Sequence, residues 1–178
     1  MIYYLIASIL IAVAALFART KRAVLAAGIL FYAVQIAAAG LLLWGGLYDT
    51  TSAAFFTFDA LGTLFYLLLV VVSMYVFGHS EAYLQGEDLR SYRLYFALLM
   101  LLTTAIAGAY FANNLAVKWI FLVETTHCSA GIIYHRRTAQ ALEAAWKYVF
   151  VCSTCIAMAY LGILLLAAAT KCETRSYE

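Results

Sequence analysis

The sequence contains no proline. Proline-broken helices, which shape many transporter binding sites, are therefore not signalled, and no Pro/Ser-rich linker marks a domain boundary. Charge is scarce as well. Only 11% of the 178 residues are charged, against roughly 25% in soluble domains. A soluble fold of this size could not hide a chain that is 67% hydrophobic, with a mean hydropathy of +0.94. The net charge of only +2 and the lack of a basic stripe exclude a nucleic-acid partner. There is no phosphate loop, no Ser–His–Asp spacing and no metal-ligand spacing, so no metal and no cofactor are expected in this chain. His127 and His135 fall on one expected helix, so they cannot both be axial ligands of one haem.

What remains is a series of long apolar runs. A helix crossing the hydrocarbon core needs about 20 such residues. The runs are Ile2–Phe17, Ala23–Leu47, Phe58–Phe77, Tyr92–Phe111, Leu115–Tyr134 and Ala141–Ala169. The expectation is an all-α, polytopic transmembrane bundle of about six helices, forming one domain over residues 1–178. Met1–Phe17 has no basic start and no small-residue cleavage site, so it reads as a retained helix. Asn113-Asn114 supplies a tight turn. Without it the fourth and fifth runs would fuse into a helix too long for a bilayer.

Basic residues set the expected orientation. Arg19, Lys21 and Arg22 follow the first run, Arg90 and Arg93 the third, Arg136 and Arg137 the fifth. These loops fall on one side, the inner one, which puts both termini outside. The tail "KCETRSYE" is expected to be charged and frayed. His79, Glu81, Glu87 and Asp88 read as part of an inner loop.

Glu124 interrupts the fifth run, in "FLVETTHCSAG". It lies roughly 15 Å from the inner end at 1.5 Å per residue. A carboxylate there costs at least ~2.5 kcal/mol to insert, which makes mid-membrane acids proton-site candidates. The alternative is an assembly contact with a neighbouring helix. His127, three residues on, shares nearly the same helix face and suits proton relay or plain packing. Lys147 is roughly 9 Å into the sixth run. It either faces Glu124 as a buried, pKa-labile partner or snorkels as an anchor beside Trp146 and Tyr148. Glu143 precedes it by one turn, in the favourable Glu-to-Lys order. Asp59 reads as a structural acid, the cap of the third helix.

There are four cysteines: Cys128, Cys152, Cys155 and Cys172. Cys152 and Cys155 form a C-x-x-C, a redox signal in soluble βαβ settings. Here the pair falls mid-helix, where small buried cysteines are the better reading.

From about Phe55 to Leu166 the chain resembles the antiporter-like membrane subunits of the complex I superfamily. The likeness rests on "FTFDALGTLFYLLLVVVSMYVFGH", "SYRLYFALLMLLTTAIAGAYFANNLAVKWIFLVETT" and "RRTAQALEAAWKYVFVCSTCIAMAYLGILLL". The ordered series "NNL…W…VETT" and "ALEAAWKY" is most similar to the F-type subunit of hydrogenase-4 and formate hydrogenlyase complexes. The resemblance implies that Glu124 is the family's key glutamate on its fifth helix and that Lys147 is its lysine on the sixth. Asp59 matches an acid at the start of the third. The family usually continues into a second half with a broken helix and its own central lysine, and the sequence departs from it there.

The expected function is thus that of a membrane subunit in a proton- or sodium-translocating redox complex. It would contribute a buried Glu124–Lys147 relay with His127 nearby, as a half-channel beside another subunit. Its partners would be membrane and peripheral redox subunits and the bilayer, in a prokaryotic cytoplasmic membrane. The rival readings are a non-pumping scaffold subunit of such a complex and a quinone-linked thiol oxidoreductase using Cys152 and Cys155.

Overall fold

A computed structural model describes residues 2–44, 56–84 and 86–175. Its regular structure consists of six α-helices and one short 3-10 turn: α1 (Ile2–Phe17), α2 (Lys21–Leu43), α3 (Ala60–Tyr83), α4 (Leu89–Phe111), α5 (Leu115–Ile133), the turn Tyr134–Arg136, and α6 (Ala139–Arg175). By length and composition, α2, α3, α4 and the Ala139–Ala169 part of α6 can each cross a membrane. Many large apolar side chains lie on the outside, among them Leu10, Ile29, Val71 and Leu165. Such a surface, together with four helices able to cross a membrane, belongs in a bilayer against lipid or other subunits, and the chain is an integral membrane protein.

Local chemistry explains the helix boundaries. Thr20 caps α2, its hydroxyl accepting from the Ala23 N–H. Asp59 caps α3, and its carboxylate accepts from the Ala60 N–H at 2.8 Å. Asn114 caps α5 through the Ala116 N–H at 2.9 Å. Each supplies an acceptor to amides that a helix start leaves without a partner. The Asn113-Asn114 break does separate α4 from α5. One expectation is corrected: α3 runs on to Tyr83, so His79 and Glu81 are helical rather than part of a loop. Ser80 helps there, bonding back to the Val76 carbonyl within the helix. The expected end of the second helix at Leu47 lies outside the described residues. The helical backbone of α6 continues through Lys171 to Arg175, where a frayed tail was expected.

α4 is the central element and packs against α1, α2, α3 and α5. Two hydrophobic cores are stacked along the bundle. One gathers Ala12, Val24, Phe31, Phe96 and Met100. The other gathers Leu5, Leu42, Tyr66, Val70 and Phe111. α6 stands apart, touching α5 and the 3-10 turn.

The basic loops meet at one end. Lys21 Nζ donates to the Glu87 carbonyl at 2.7 Å, and Arg93 Nη1 to the Ala18 carbonyl at 3.0 Å. Arg136 pairs with Glu87 at 3.3 Å and lies over the Tyr83 ring. The α1–α2, α3–α4 and α5–α6 connections are thereby drawn together. At the opposite end the Thr57 N–H bonds the Phe111 carbonyl at 3.0 Å. Tyr4, near the start of α1, lies beside Tyr66 in that half of the bundle.

Candidate functional site

Glu124 sits at the midpoint of α5, nine residues from Leu115 and nine from Ile133. That is about 14 Å from either end, and the whole helix is about 29 Å long, close to the thickness of a hydrocarbon core. The covered positions of α5 lie on two flanks. Gly131 packs closely on α4, where a Cβ would come 2.7 Å from Leu98 Cδ1. On the other flank, Trp119 Nε1 donates to the Ile156 carbonyl of α6 at 3.1 Å, and its rings stack tilted on Tyr160. Glu124 lies on a side covered by neither neighbour and is exposed, as is His127. The Glu124 carboxylate accepts one weak bond, from Cys128 Sγ at 3.6 Å. His127 Nδ1 donates to the Val123 carbonyl at 2.8 Å.

Lys147 lies eight residues past Ala139, so about 12 Å along α6. Counted from the shared hairpin end, Glu124 and Lys147 are thus within about 2 Å of the same level. Their directions differ. The covered stripe of α6 is Ala141, Ala145, Tyr148, Cys152 and Ile156, while Lys147 and Glu143 stand on the exposed side. Lys147 Nζ is paired with Glu143 Oε1, one turn back. Among the described residues no hydrogen bond or ion pair joins Glu124 to Lys147.

At the other end of α5, Asp59 and Lys118 line one cleft of about 450 Å³ with Phe65, Tyr110 and Leu122. Among the described residues they form no ion pair with each other. Cys128, Cys152 and Cys155 are free thiols, respectively buried, half-buried and exposed. No group of three or more His, Cys, Asp or Glu side chains suited to a metal is present among the described residues.

Two features escaped sequence reasoning. His135 was considered only as a haem ligand. It is 6% exposed, its Nδ1 donating to the Ile132 carbonyl at 2.8 Å and its ring edge-on to Tyr95. It shares a cleft of about 400 Å³ with His79, Ser80 and Tyr83, at the basic-loop end. The second is the buried polar stripe of α3: Thr63, Tyr66, Ser73 and Ser80. Its signal was present in the sequence. Asp59, Tyr66, Ser73 and Ser80 recur at one fixed spacing, which keeps them on one helix face.

The chain is 27% identical over 118 residues to a hydrogenase-4 component F homolog from Methylacidiphilum infernorum (isolate V4), an alignment covering 63% of this chain. It spans only 25% of the length of that relative. No family model matches the chain, and no solved structure matches it.

Proposed function

We propose that the chain is a membrane subunit of a proton- or sodium-translocating redox complex of the complex I and membrane-bound hydrogenase type. In this reading it forms one transmembrane domain with six spans. The basic-loop end faces inward, both termini lie outside, and the membrane is a prokaryotic cytoplasmic one. Glu124 exchanges the ion, His127 relays it from one turn away where that ion is a proton, and Lys147 shifts the local charge. Asp59 is structural. The redox centres belong to partner subunits.

The observation that carries this reading is the state of Glu124. A carboxylate at the midpoint of a membrane-length helix, with a thiol as its hydrogen-bond donor, is poorly satisfied. In a bilayer it must be neutral, hydrated or covered by another subunit. Each of these conditions suits an ion-exchange group at a subunit interface. The similarity to a hydrogenase-4 component F homolog supports the same class of complex. Lys147 lies near the same level, so one partner surface can span both groups, directly or through water.

A second reading has its own support. The apolar part of α6, Ala139–Ala169, is 31 residues long, or about 46 Å, well beyond a core of about 30 Å. Its first turns can therefore stand at the interface, where a Glu143–Lys147 pair acts as an anchor. That favours a scaffold subunit.

The test is ion uptake by vesicles holding the complete complex. Glu124→Gln is expected to reduce pumping by an order of magnitude or more while assembly and uncoupled redox turnover persist. Lys147→Ala is expected to impair pumping less severely. Normal pumping by Glu124→Gln removes the relay and leaves the scaffold.

A further inference from the structure

At the end of the bundle opposite the basic loops, the cleft of about 450 Å³ carries one anion and one cation, Asp59 and Lys118. Both residues are exposed. The ion pairs among the described residues are Arg136–Glu87 and Lys147–Glu143, and neither uses them. Asp59 Oδ1 accepts from the Ala60 N–H and caps α3. A carboxylate has room for further donors, and an ammonium carries three of its own. The cleft also grades from polar to apolar with depth. Asp59 immediately precedes α3 and Lys118 lies in the first turn of α5, so both charges are within about 5 Å of the helix starts. Phe65 and Leu122 lie about 8 and 11 Å in. The Phe65 ring stacks on Tyr110, near the end of α4, with centroids 5.7 Å apart. Aromatic rings at such a level are typical of a membrane boundary. Leu61 and Leu122 are 61% and 47% exposed, so the apolar wall is open on the side of the bundle.

We propose that this cleft binds a phospholipid with a zwitterionic headgroup ending in a primary ammonium, of the phosphatidylethanolamine type. Lys118 Nζ donates to the phosphate oxygens, with its stem along the apolar wall. The ammonium donates to the Asp59 carboxylate. An acyl chain runs inward past Phe65 and Leu122. Each part of the cleft selects a part of the ligand. A water-soluble zwitterion would leave the apolar wall uncovered. A purely anionic headgroup would satisfy Lys118 but set its charge beside Asp59. A trimethylated headgroup has no N–H for the carboxylate. The site gathers α3, α4 and α5 from the lipid side and uses neither Glu124 nor Lys147.

Photolabelling of the full chain tests this, in nanodiscs of equal parts phosphatidylethanolamine and phosphatidylglycerol. A trace of one lipid or the other carries a diazirine in its acyl chain, and the labelled peptides are mapped by mass spectrometry. The phosphatidylethanolamine probe is expected to label residues 61–65 and 118–122 several-fold more than the phosphatidylglycerol probe does. It is also expected to label them several-fold more than residues 161–165 on the exposed surface of α6. Lys118→Gln should lower the cleft to the α6 level. Asp59→Asn, which keeps a good capping side chain, should make the two probes equal there. Equal labelling of the cleft by the two probes in the unaltered protein, or stronger labelling by phosphatidylglycerol, overturns the proposal. So does undiminished labelling in Lys118→Gln. The comparison of probes in the unaltered protein decides the matter even if a variant does not fold.

Discussion

Of the most apolar stretch of α4, 56% is buried within the chain, whereas none of the corresponding stretch of α6 is. The two helices differ little in apolar character, so hydrophobicity does not explain the contrast. Neighbours do. α4 is surrounded by α1, α2, α3 and α5, and α6 has one helical partner. Polar side chains follow the same division. In the α1–α4 bundle they are enclosed and mostly bonded: Tyr66 to Gln35, Tyr32 to Ser73, Ser80 to Val76 and Tyr95. In the α5–α6 arm the ionisable groups Glu124, Glu143 and Lys147 are exposed. In a bilayer such groups must be neutral, reach water or be covered from elsewhere. The bundle encloses its polar groups, and the arm is the side from which a partner subunit would complete a site.

The contrast can be tested by substitution. The largest stability effect is expected from Phe96→Ala. Phe96 is wholly buried between Phe77, Tyr92 and Tyr95, and its loss should cost about 3–5 kcal/mol. Phe150→Ala, on exposed α6 surface, should cost less than about 1 kcal/mol. Denaturant unfolding in micelles reads both, and similar values would erase the distinction between bundle and arm. A smaller effect is expected where the two regions join. A Cβ on Gly108 would run into the Phe121 ring, so Gly108→Ala should cost about 1–3 kcal/mol by pushing α5 from α4. Gly162→Ala meets nothing within 4 Å and should be neutral or stabilising by up to about 1 kcal/mol. Thermal unfolding of the two variants, side by side, measures the difference. The smallest effect belongs to Cys152 and Cys155. Replacing both by Ala should leave assembly and stability unchanged, because one is half-buried and the other stands on uncovered helix surface. Lost turnover with intact assembly would instead revive a thiol redox role.

How much could be read beforehand varied with the kind of residue. The Asp59 cap was legible, because it acts on the amide of the next residue; Asn113-Asn114 was legible as a break between helices but not as the α5 cap that Asn114 supplies. The far end of α3 was not. "GHSEAY" is polar enough to look like loop, but its helix is held by packing of Leu84 and Phe77 into the first core. Glu124 and Lys147 were identifiable as costly charges in apolar runs. Their pairing was not, because it depends on how far α5 and α6 are each rotated about their own axes. The one pair that was legible is local: Lys147 is joined to Glu143 one turn back, in the Glu-to-Lys order.

By itself the sequence determined the number of helices, their approximate limits and the single end at which the basic loops gather. These follow from run length, capping side chains and charge placed between runs, all of them local. Tertiary structure decided which faces meet. In a helix that is apolar on every side, lipid-facing and protein-facing surfaces look alike in sequence, so periodicity points nowhere. Enclosure of Gln35 against Tyr66, burial of the α3 stripe, and the exposure of Glu124 were set by packing between helices distant in the chain.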